Sequence, residues 1–212
     1  MTDIKTNWAF YTDWLKSMLP VYAGLLNPGA SETELAELEN YLGFSLPENV
    51  KALYRLNNGD ASRDTPRIYV GAFLGFEFLS LARIRNVHSE WKQHAANNYS
   101  GSSFPEGSIR VQYTNEKWIP LFADSGGNYV GIDLDPDKNG IAGQVINFGR
   151  AEDNKFVIAQ NLDDFLEFVG KQIKSGACDN AITEEDDGGS SYGLSPQSHL
   201  IDDLKGIFLP QN

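Results

Sequence analysis

The chain has 212 residues and a net charge of −12, from 17 Lys and Arg residues against 29 Asp and Glu residues. This length allows one domain with extensions or two small domains, and the 41% hydrophobic content excludes fibrous, collagen-like and wholly disordered proteins. The acidic balance disfavours electrostatic binding to nucleic-acid phosphates or anionic lipids, because the necessary positive charge is lacking. The single cysteine, Cys178, excludes an internal disulfide.

Sequence patterns also bear on the compartment. The N-terminal residues carry neither a basic segment nor a continuous apolar segment, so they predict no secretory signal. No stretch reaches the ~18 apolar residues that a membrane-spanning helix needs. A lone thiol in a polar segment is compatible with a reducing environment. We therefore expect a cytoplasmic protein that does not bind membranes or nucleic acid.

The first part of the chain predicts three helices. Apolar and aromatic residues recur at spacings of three and four over residues 8–19, and the proline that follows ends this helix. Ser31 and Glu34 form an S-x-x-E capping box at the start of a second helix, residues 31–43. A third helix, residues 47–58, begins at a proline and ends before a glycine.

The middle of the chain is mixed. Residues 67–79 are rich in β-branched and aromatic residues with two glycines, which predicts one or two strands with a bend. Ser80 is typical of a helix N-cap, and the helix that follows is expected to run to Ala95. Residues 97–107 are rich in Ser, Gly and Pro and predict a loop.

Residues 109–159 predict a meander of short strands separated by turn residues. The expected strands are IRVQY, KWIPLF, NYVGIDL, GQVINF and KFVIA. Asn161 then caps a helix whose apolar stripe runs from Leu162 to Ile173. Helices first, then a meander, then a helix predict an α+β fold with helices packed on a mostly antiparallel sheet, and exclude the βαβ alternation of a dinucleotide fold.

After Lys174 the composition changes to Gly, Ser and acidic residues, which is typical of a flexible tail. We expect a domain over residues 1–174 and an acidic tail over residues 175–212, whose last apolar segment, HLIDDLKGIFLP, is able to dock. Residues 111–212 contain 7 basic and 17 acidic residues, so most of the negative charge lies on the sheet turns and the tail.

Residues 135–140 are the best candidate for a metal site. They match D-x-[DN]-x-[DN]-G, the first half of a calcium loop. The twelfth position, which needs a bidentate Glu, is Ile146, and strands instead of helices are expected on both sides. A hairpin turn is therefore the better interpretation, because Asp, Asn, Pro and Gly are ordinary turn residues.

The other motifs considered for metal binding, catalysis or phosphate binding are weaker candidates. Glu90 and His94 lie one helical turn apart and give two neighbouring ligands, where zinc needs three or four, and Cys178 has no neighbouring histidine to activate it. The Gly-rich run over residues 124–128 joins two strands without the helix that a phosphate loop requires. We expect no catalytic residues, no cofactor and no metal.

Two further residue groups have simple structural interpretations. The basic residues of the middle region alternate with acidic ones and are typical of a solvated face more than of a nucleic-acid patch. They are Arg63, Arg67, Arg83 and Arg85, and the interleaved acidic residues are Asp60, Asp64 and Glu77. The aromatic residues are expected in the core, with partner anchoring by Trp8, Trp14 or Trp118 as the alternative.

A series of short motifs appears in a specific order along the chain. The motifs are Leu46-Pro47-Glu48, Asn57-Asn58-Gly59, Leu74-Gly75-Phe76-Glu77-Phe78-Leu79-Ser80-Leu81, Trp118-Ile119-Pro120-Leu121, Asp124 with Gly126-Gly127-Asn128-Tyr129, Asp133-Leu134-Asp135-Pro136 and Gly143-Gln144-Val145-Ile146. From Trp8 to Ile173 the series resembles the SMI1/KNR4 (SUKH) superfamily, and its fungal-type branch particularly between Trp118 and Arg150. The resemblance implies an α+β binding module without catalytic residues.

The resemblance carries two functional expectations. Bacterial members are similar to immunity proteins that silence a cognate toxin, such as a nuclease, of a polymorphic or contact-dependent toxin system. Fungal members are similar to scaffolds that coordinate cell-wall synthesis and signalling. We expect an immunity protein whose acidic C-terminal half complements a basic toxin; a regulatory scaffold is the alternative, and a calcium-dependent enzyme or sensor is a third class.

The same motifs supply the candidate partner-binding residues. They are Trp118, Asp124, Asn128, Asp133, Asp135 and Asp137. For Trp118, Asp124, Asn128 and Asp133, together with Gly127, the simpler interpretation is that they maintain the fold, since Gly suits strained turns and Asp or Asn side chains accept bonds from turn amides.

Overall fold

The computed structural model describes residues 3–94, 100–184 and 190–209. Within these residues the α-helices are α1 (Ile4–Met18), α2 (Pro20–Ala23), α3 (Glu32–Leu42), α4 (Glu48–Leu56), α5 (Leu81–Lys92), α6 (Leu162–Lys174), α7 (Ala177–Asn180) and α8 (Leu200–Phe208), with a 3-10 helix, η1 (Ser62–Asp64). The strands are β1 (Glu77–Phe78), β2 (Ser102–Phe104), β3 (Trp118–Ala123), β4 (Asn128–Asp133), β5 (Gln144–Gly149), β6 (Asn154–Ala159), β7 (Thr183–Glu184) and β8 (Ser190–Ser191).

Local capping decides where the main helices begin. The amide of Glu34 donates to Ser31 Oγ at 3.2 Å and the Glu34 carboxylate accepts the Ser31 amide at 2.8 Å, which confirms the predicted capping box of α3. Asn161 likewise caps α6 as predicted. Helix α1 begins earlier than expected, because the Asp3 carboxylate accepts the amide of Thr6 at 2.8 Å.

Six strands form one sheet in the order β1–β3–β4–β5–β6–β2. The pairs from β1 to β6 are antiparallel, and β2 lies parallel to β6 at the far edge. Helix α5 contacts β3, while α6 contacts β5 and β6 and packs against α1 and α4. This arrangement confirms the predicted α+β fold and the four meander strands β3 to β6.

The first predicted meander strand is wrong. Residues 109–113 form no strand, because their backbone is tied to nearby loops: the amide of Ile109 donates to Ser103 Oγ at 2.9 Å, and that of Gln112 donates to the Arg110 carbonyl at 3.0 Å. The edge strand is β2, which lies in the segment that was expected to be a loop. The predicted helix end at Ala95 and the loop start at residues 97–99 lie outside the described residues.

The segment over residues 67–79 contains less strand than its composition predicts. Only β1 is paired with the sheet, while residues 71–76 form a tight turn in which the amide of Gly71 donates to the Gly75 carbonyl at 2.9 Å. Gly75 has a φ of 86°, which glycine adopts without strain. The Asp60 carboxylate accepts the amides of Ala72 and Phe78 and fixes this turn beside β1.

Aromatic side chains fill the core. On the α1 and α6 side, Phe73 stacks on Phe122 with 3.7 Å between ring centroids, and Phe165 packs against both. Another group joins Trp91 to Tyr129 and Trp118 to Phe148; its members are Trp91, Tyr113, Trp118, Tyr129 and Phe148. The three tryptophans considered as partner anchors, Trp8, Trp14 and Trp118, are all buried, as the core interpretation predicts.

The described residues after Lys174 lie against the rest of the fold. Trp14 Nε1 donates to Asp179 Oδ1 at 2.7 Å, Tyr22 Oη to the Ser190 carbonyl at 2.7 Å, and Tyr192 Oη to the Gly71 carbonyl at 2.7 Å. Helix α8 buries three side chains in the same core: Leu200, Ile201 and Leu204. The boundary at residue 174 stays a prediction. No helix among the described residues combines the length and the hydropathy that crossing a bilayer requires.

Candidate functional site

The six candidate residues lie in two groups at opposite ends of β4. Asp124 and Asn128 flank the β3–β4 turn. The other four, Trp118, Asp133, Asp135 and Asp137, lie at the far end of the same hairpin or in the turn that follows it. Because β4 has six residues, the two ends are roughly 17 Å apart at about 3.4 Å per residue. The structure therefore does not bring the six residues into one site.

Asp124 holds the β3–β4 turn together. Its Oδ1 accepts the backbone amide of Asn128 at 2.8 Å, and its Oδ2 accepts Asn128 Nδ2 at 2.7 Å. Asn128 Oδ1 in turn accepts the amide of Ala151 at 2.9 Å, which ties the turn to the end of β5. Gly127 has a φ of 86° inside this turn. The Asp124 side chain is only 12% exposed, so its acceptor atoms serve mainly the fold.

A residue that the sequence analysis did not connect to this turn completes it. His199 Nε2 lies 3.1 Å from Asp124 Oδ2, and the His199 ring packs against Phe76 at 4.9 Å between centroids. Burial alone would raise the pKa of Asp124, but the hydrogen bonds from His199 and Asn128 outweigh it and hold this pKa at about 2. The hydrogen bond to Asp124 raises the pKa of His199 against the opposing effect of burial.

The second group centres on Asp133, which is fully buried. Its Oδ1 accepts Trp118 Nε1 at 3.1 Å and the amide of Asp135 at 2.9 Å, and its Oδ2 accepts Gln144 Nε2 at 2.9 Å. Burial raises the pKa of Asp133, although these hydrogen bonds oppose the rise. Asp133 therefore links the start of β3 to the start of β5, and a partner does not reach it without local unfolding.

The turn at residues 135–140 is held by side chains of neighbouring loops. The Asp135 carboxylate accepts Asn115 Nδ2 at 3.0 Å and pairs with Arg110 Nε at 2.9 Å, and these two contacts lower the Asp135 pKa. Asp137 Oδ1 accepts the amide of the next residue, Lys138, at 2.8 Å. Across residues 3–94, 100–184 and 190–209, no group of three or more His, Cys, Asp or Glu side chains is placed to hold a metal ion.

Cys178, which was considered as a nucleophile, and the histidine His88 are both buried in contacts with the rest of the fold. Cys178 is buried, and burial raises the pKa of its thiol to about 12, so the thiolate needed for nucleophilic attack is scarce at neutral pH. His88 is buried, with its Nε2 2.7 Å from the Glu116 carbonyl and its Nδ1 3.4 Å from Tyr41 Oη. These contacts are those expected of side chains that maintain the fold.

Two adjoining cavities surround the Asp124 turn and form what we name the Asp124 groove. Their volumes are about 360 and 220 Å³, and they share the wall formed by Arg63 and by residues 123–125. The larger cavity is also lined by Ile68, Tyr69 and Val70, and the smaller one by Arg83 and Arg150. The groove is thus formed by η1, the loop before β1, α5 and the turns at the ends of β3 and β5.

Ion pairs to Glu77 hold two of the arginines of this groove, Arg63 and Arg83. Glu77 Oε1 accepts Arg83 Nε at 3.1 Å, and its Oε2 lies 3.8 Å from Arg63 Nη1. Glu77 is 11% exposed, whereas Arg63 is 60% exposed. Arg85, on the same helix as Arg83, instead lies over the Tyr41 ring at 4.8 Å. Of the basic residues of the middle region, Arg63 and Arg83 therefore line the groove, whereas Arg85 lies on the other side of α5.

Three known fungal proteins are similar in sequence to this chain. The chain is 26% identical over 202 residues to the "Cell wall assembly regulator SMI1" of Saccharomyces cerevisiae, covering 80% of this chain and 40% of the relative. It is 30% identical over 174 residues to the "Cell wall biosynthesis/cell cycle regulator smi1" of Schizosaccharomyces pombe, covering 75% and 33%. It is 26% identical over 208 residues to the "Glucan synthesis regulatory protein" of Neurospora crassa, covering 82% and 39%.

These relatives are named as regulators, and this chain spans about a third to two fifths of their length. A model of the SMI1 / KNR4 family (SUKH-1) matches residues 29–167, which include α3 to β6 and the first part of α6, residues 162–167. The match contains both ends of the β3–β4 hairpin and the arginines of the Asp124 groove. The chain therefore belongs to the SMI1/KNR4 family (SUKH-1).

Proposed function

We propose that this chain is a protein-binding module that regulates cell-wall assembly, and that it acts by recognition without chemistry of its own. The observation that carries the proposal is its similarity, over 75–82% of its length, to three fungal proteins named as regulators of cell-wall or glucan synthesis. The alternative expected from the sequence, a regulatory scaffold, thus becomes the main interpretation. Toxin neutralisation has no support among these relatives.

The site geometry supports a recognition role. The carboxylates of Asp124 and Asp133 accept hydrogen bonds from their own chain, so both are committed to the fold. The Asp124 groove, in contrast, presents exposed groups: Tyr69 is 73% exposed, and Arg63 reaches solvent above Glu77. Exposed aromatic and arginine side chains are the residues that contribute most to protein–protein interfaces.

Of the six candidate residues, only the two that are partly exposed remain candidates for direct partner binding in this proposal. Asp135 and Asp137 are partly exposed at the far end of β4, and their charges are able to steer a basic partner. The other four are buried or nearly so, and we propose that they shape the hairpin that carries the two surfaces. Substitutions of these four should therefore affect folding first.

A chimaera tests the proposed function. In a Saccharomyces cerevisiae strain that lacks its cell wall assembly regulator SMI1, the regulator is supplied with its matching segment replaced by this chain. We expect resistance to cell-wall-digesting glucanase to return at least in part. The same regulator with the segment deleted is the negative control, and the intact regulator is the positive control. A chimaera that accumulates in folded form but performs no better than the deletion contradicts the proposal.

The toxin interpretation has its own test. The chain is co-expressed with the product of the neighbouring reading frame, and growth is measured. Relief of a toxic effect by this chain, together with a failed chimaera, would favour an immunity protein over a regulator.

A further inference from the structure

Three of the seven arginines of this acidic chain line the same cavity. Arg63 comes from η1, Arg83 from α5, and Arg150 from the residue that follows β5. The amide of Arg150 donates to the Gly127 carbonyl at 3.1 Å, which fixes its backbone beside the β3–β4 turn. In a chain of net charge −12, the fold thus collects positive charge from three distant segments at one place.

Three carboxylates, those of Glu77, Asp124 and Glu90, lie at the two cavities beside these arginines, and two of them already bind groups of this chain. Glu77 is nearly buried and forms ion pairs with Arg83 and Arg63. Asp124 is already bonded to Asn128 and His199. Among the described lining residues, Glu90 on α5 is the one exposed carboxylate, set against two exposed guanidinium groups and one half-buried one.

The groove suits a ligand that carries an anionic group next to an apolar group. Guanidinium groups bind carboxylate and phosphate oxygens through paired hydrogen bonds, with better geometry than lysine provides. The adjoining cavity is lined by Ile68, Tyr69 and Val70, which suit an aliphatic or aromatic side chain. A ligand that occupies both cavities must extend across the shared wall of residues 123–125.

We propose that the Asp124 groove binds an extended acidic segment of a protein partner, whose anionic side chains contact Arg63, Arg83 and Arg150 and whose neighbouring apolar side chain lies against Tyr69. The inference rests on the proposed function in taking the partner to be a protein, and it adds the chemistry of the recognised segment. A nucleic acid fits less well, because the net charge of −12 repels a polyanionic backbone beyond the groove.

Fluorescence anisotropy with labelled peptides tests this site on the full chain. The probe is a short fluorescein-labelled peptide that is rich in glutamate and contains one leucine. The comparison peptides carry glutamine or phosphoserine at the glutamate positions. We expect the glutamate peptide to bind about tenfold more tightly than the glutamine peptide, as charge-assisted bonds at a half-exposed site imply. Tighter binding of the phosphoserine peptide would identify phosphate as the preferred anion within the same site.

Matched variants locate the binding. Arg150→Gln removes one groove charge, whereas Arg85→Gln removes the same charge from the opposite side of α5. We expect Arg150→Gln to weaken the glutamate peptide about five- to tenfold and Arg85→Gln to leave it within about twofold, because exposed charges outside an interface contribute little. Thermal melts of both variants show whether the folded population is unchanged.

Three results would overturn the inference: equal binding of the glutamate and glutamine peptides, equal losses for Arg150→Gln and Arg85→Gln, or tighter binding of a short single-stranded oligonucleotide than of any peptide. The yeast chimaera is independent of these measurements. A chimaera that restores resistance while the peptides fail refutes the groove ligand and keeps the regulator. Peptide binding without restored resistance refutes the regulator and keeps the groove ligand.

Discussion

Replacing Asp124 with alanine should destabilise the fold substantially. The pKa of this carboxyl falls from 3.8 in the unfolded chain to about 2 in the folded protein. Such a difference corresponds to about 2 kcal/mol of stability at neutral pH. This contribution is present above pH 3.8 and is lost as the pH falls through 2, because only the charged carboxylate is favoured by its partners. Asp124→Ala also leaves the donors of Asn128 without their acceptor.

We therefore expect Asp124→Ala to lower the free energy of unfolding by about 2–3 kcal/mol and the melting temperature by about 5–10 °C. Urea denaturation at neutral pH, followed by tryptophan fluorescence, measures the first quantity, and calorimetry measures the second. The matched control is Asp137→Ala, in the turn beyond the other end of β4. Its carboxylate accepts the amide of the adjacent Lys138, so its loss should cost less than about 0.5 kcal/mol.

Two results would refute this reasoning. Equal effects of Asp124→Ala and Asp137→Ala would show that the bonds of Asp124 contribute nothing particular to stability. A melting temperature like that of the wild type, combined with a large loss of affinity for the acidic peptide per folded molecule, would make Asp124 a binding residue. We expect the opposite order, with stability affected more than affinity.

Three further substitutions test separate parts of the structure. His199→Gln should cost about 0.5 kcal/mol near pH 6. That cost should shrink as the pH rises through the raised pKa of His199, because the pairing with Asp124 needs a charged ring; a cost that grows near pH 9 contradicts this. Burial lowers the pKa of Lys155 from 10.5 to about 8, so the folded protein binds fewer protons than the unfolded chain between these values. Between pH 8 and 10.5, the free energy of unfolding of the wild type, measured by urea denaturation, should therefore rise by up to about 3 kcal/mol relative to that of Lys155→Met. A difference between the two proteins that does not change with pH would contradict the lowered pKa of Lys155. Leu204→Ala should cost about 3 kcal/mol, whereas Ile207→Ala, exposed on the same helix, should cost less than about 1 kcal/mol; similar denaturation midpoints would mean that α8 does not pack as described.

The parts of the fold that the sequence predicts correctly are those fixed by neighbouring residues. The partners in the Ser31–Glu34 capping box are three positions apart, as are those in the Asn161 cap of α6, and both appear in the structure with the expected donors and acceptors. The strands β3 to β6 alternate with short turns, so each strand pairs with the next one in the sequence. The turn chemistry of Asp124 and Asn128 was also visible, because their contact crosses only four positions.

The parts that sequence reasoning missed depend on contacts between distant residues. Strand β2 is paired with β6 about fifty positions away, and its Ser and Phe residues give no period that distinguishes it from a loop. His199 contacts Asp124, which lies 75 positions earlier in the sequence, and no local sequence pattern predicts that contact. The arginines of the groove come from three separate elements, so only the folded chain shows that Arg150 joins Arg63 and Arg83.

The two edge strands of the sheet limit how another molecule can bind to it. Strand β1 has two residues and β2 has three, and the outward amide and carbonyl of Phe78 are both bonded to Asp60. A foreign strand therefore finds almost no open backbone ladder to extend, which is a common protection against edge-to-edge aggregation. Under the proposed binding function, we therefore expect side chains to determine which partner is bound, and specificity to change by surface substitution without rebuilding of the sheet.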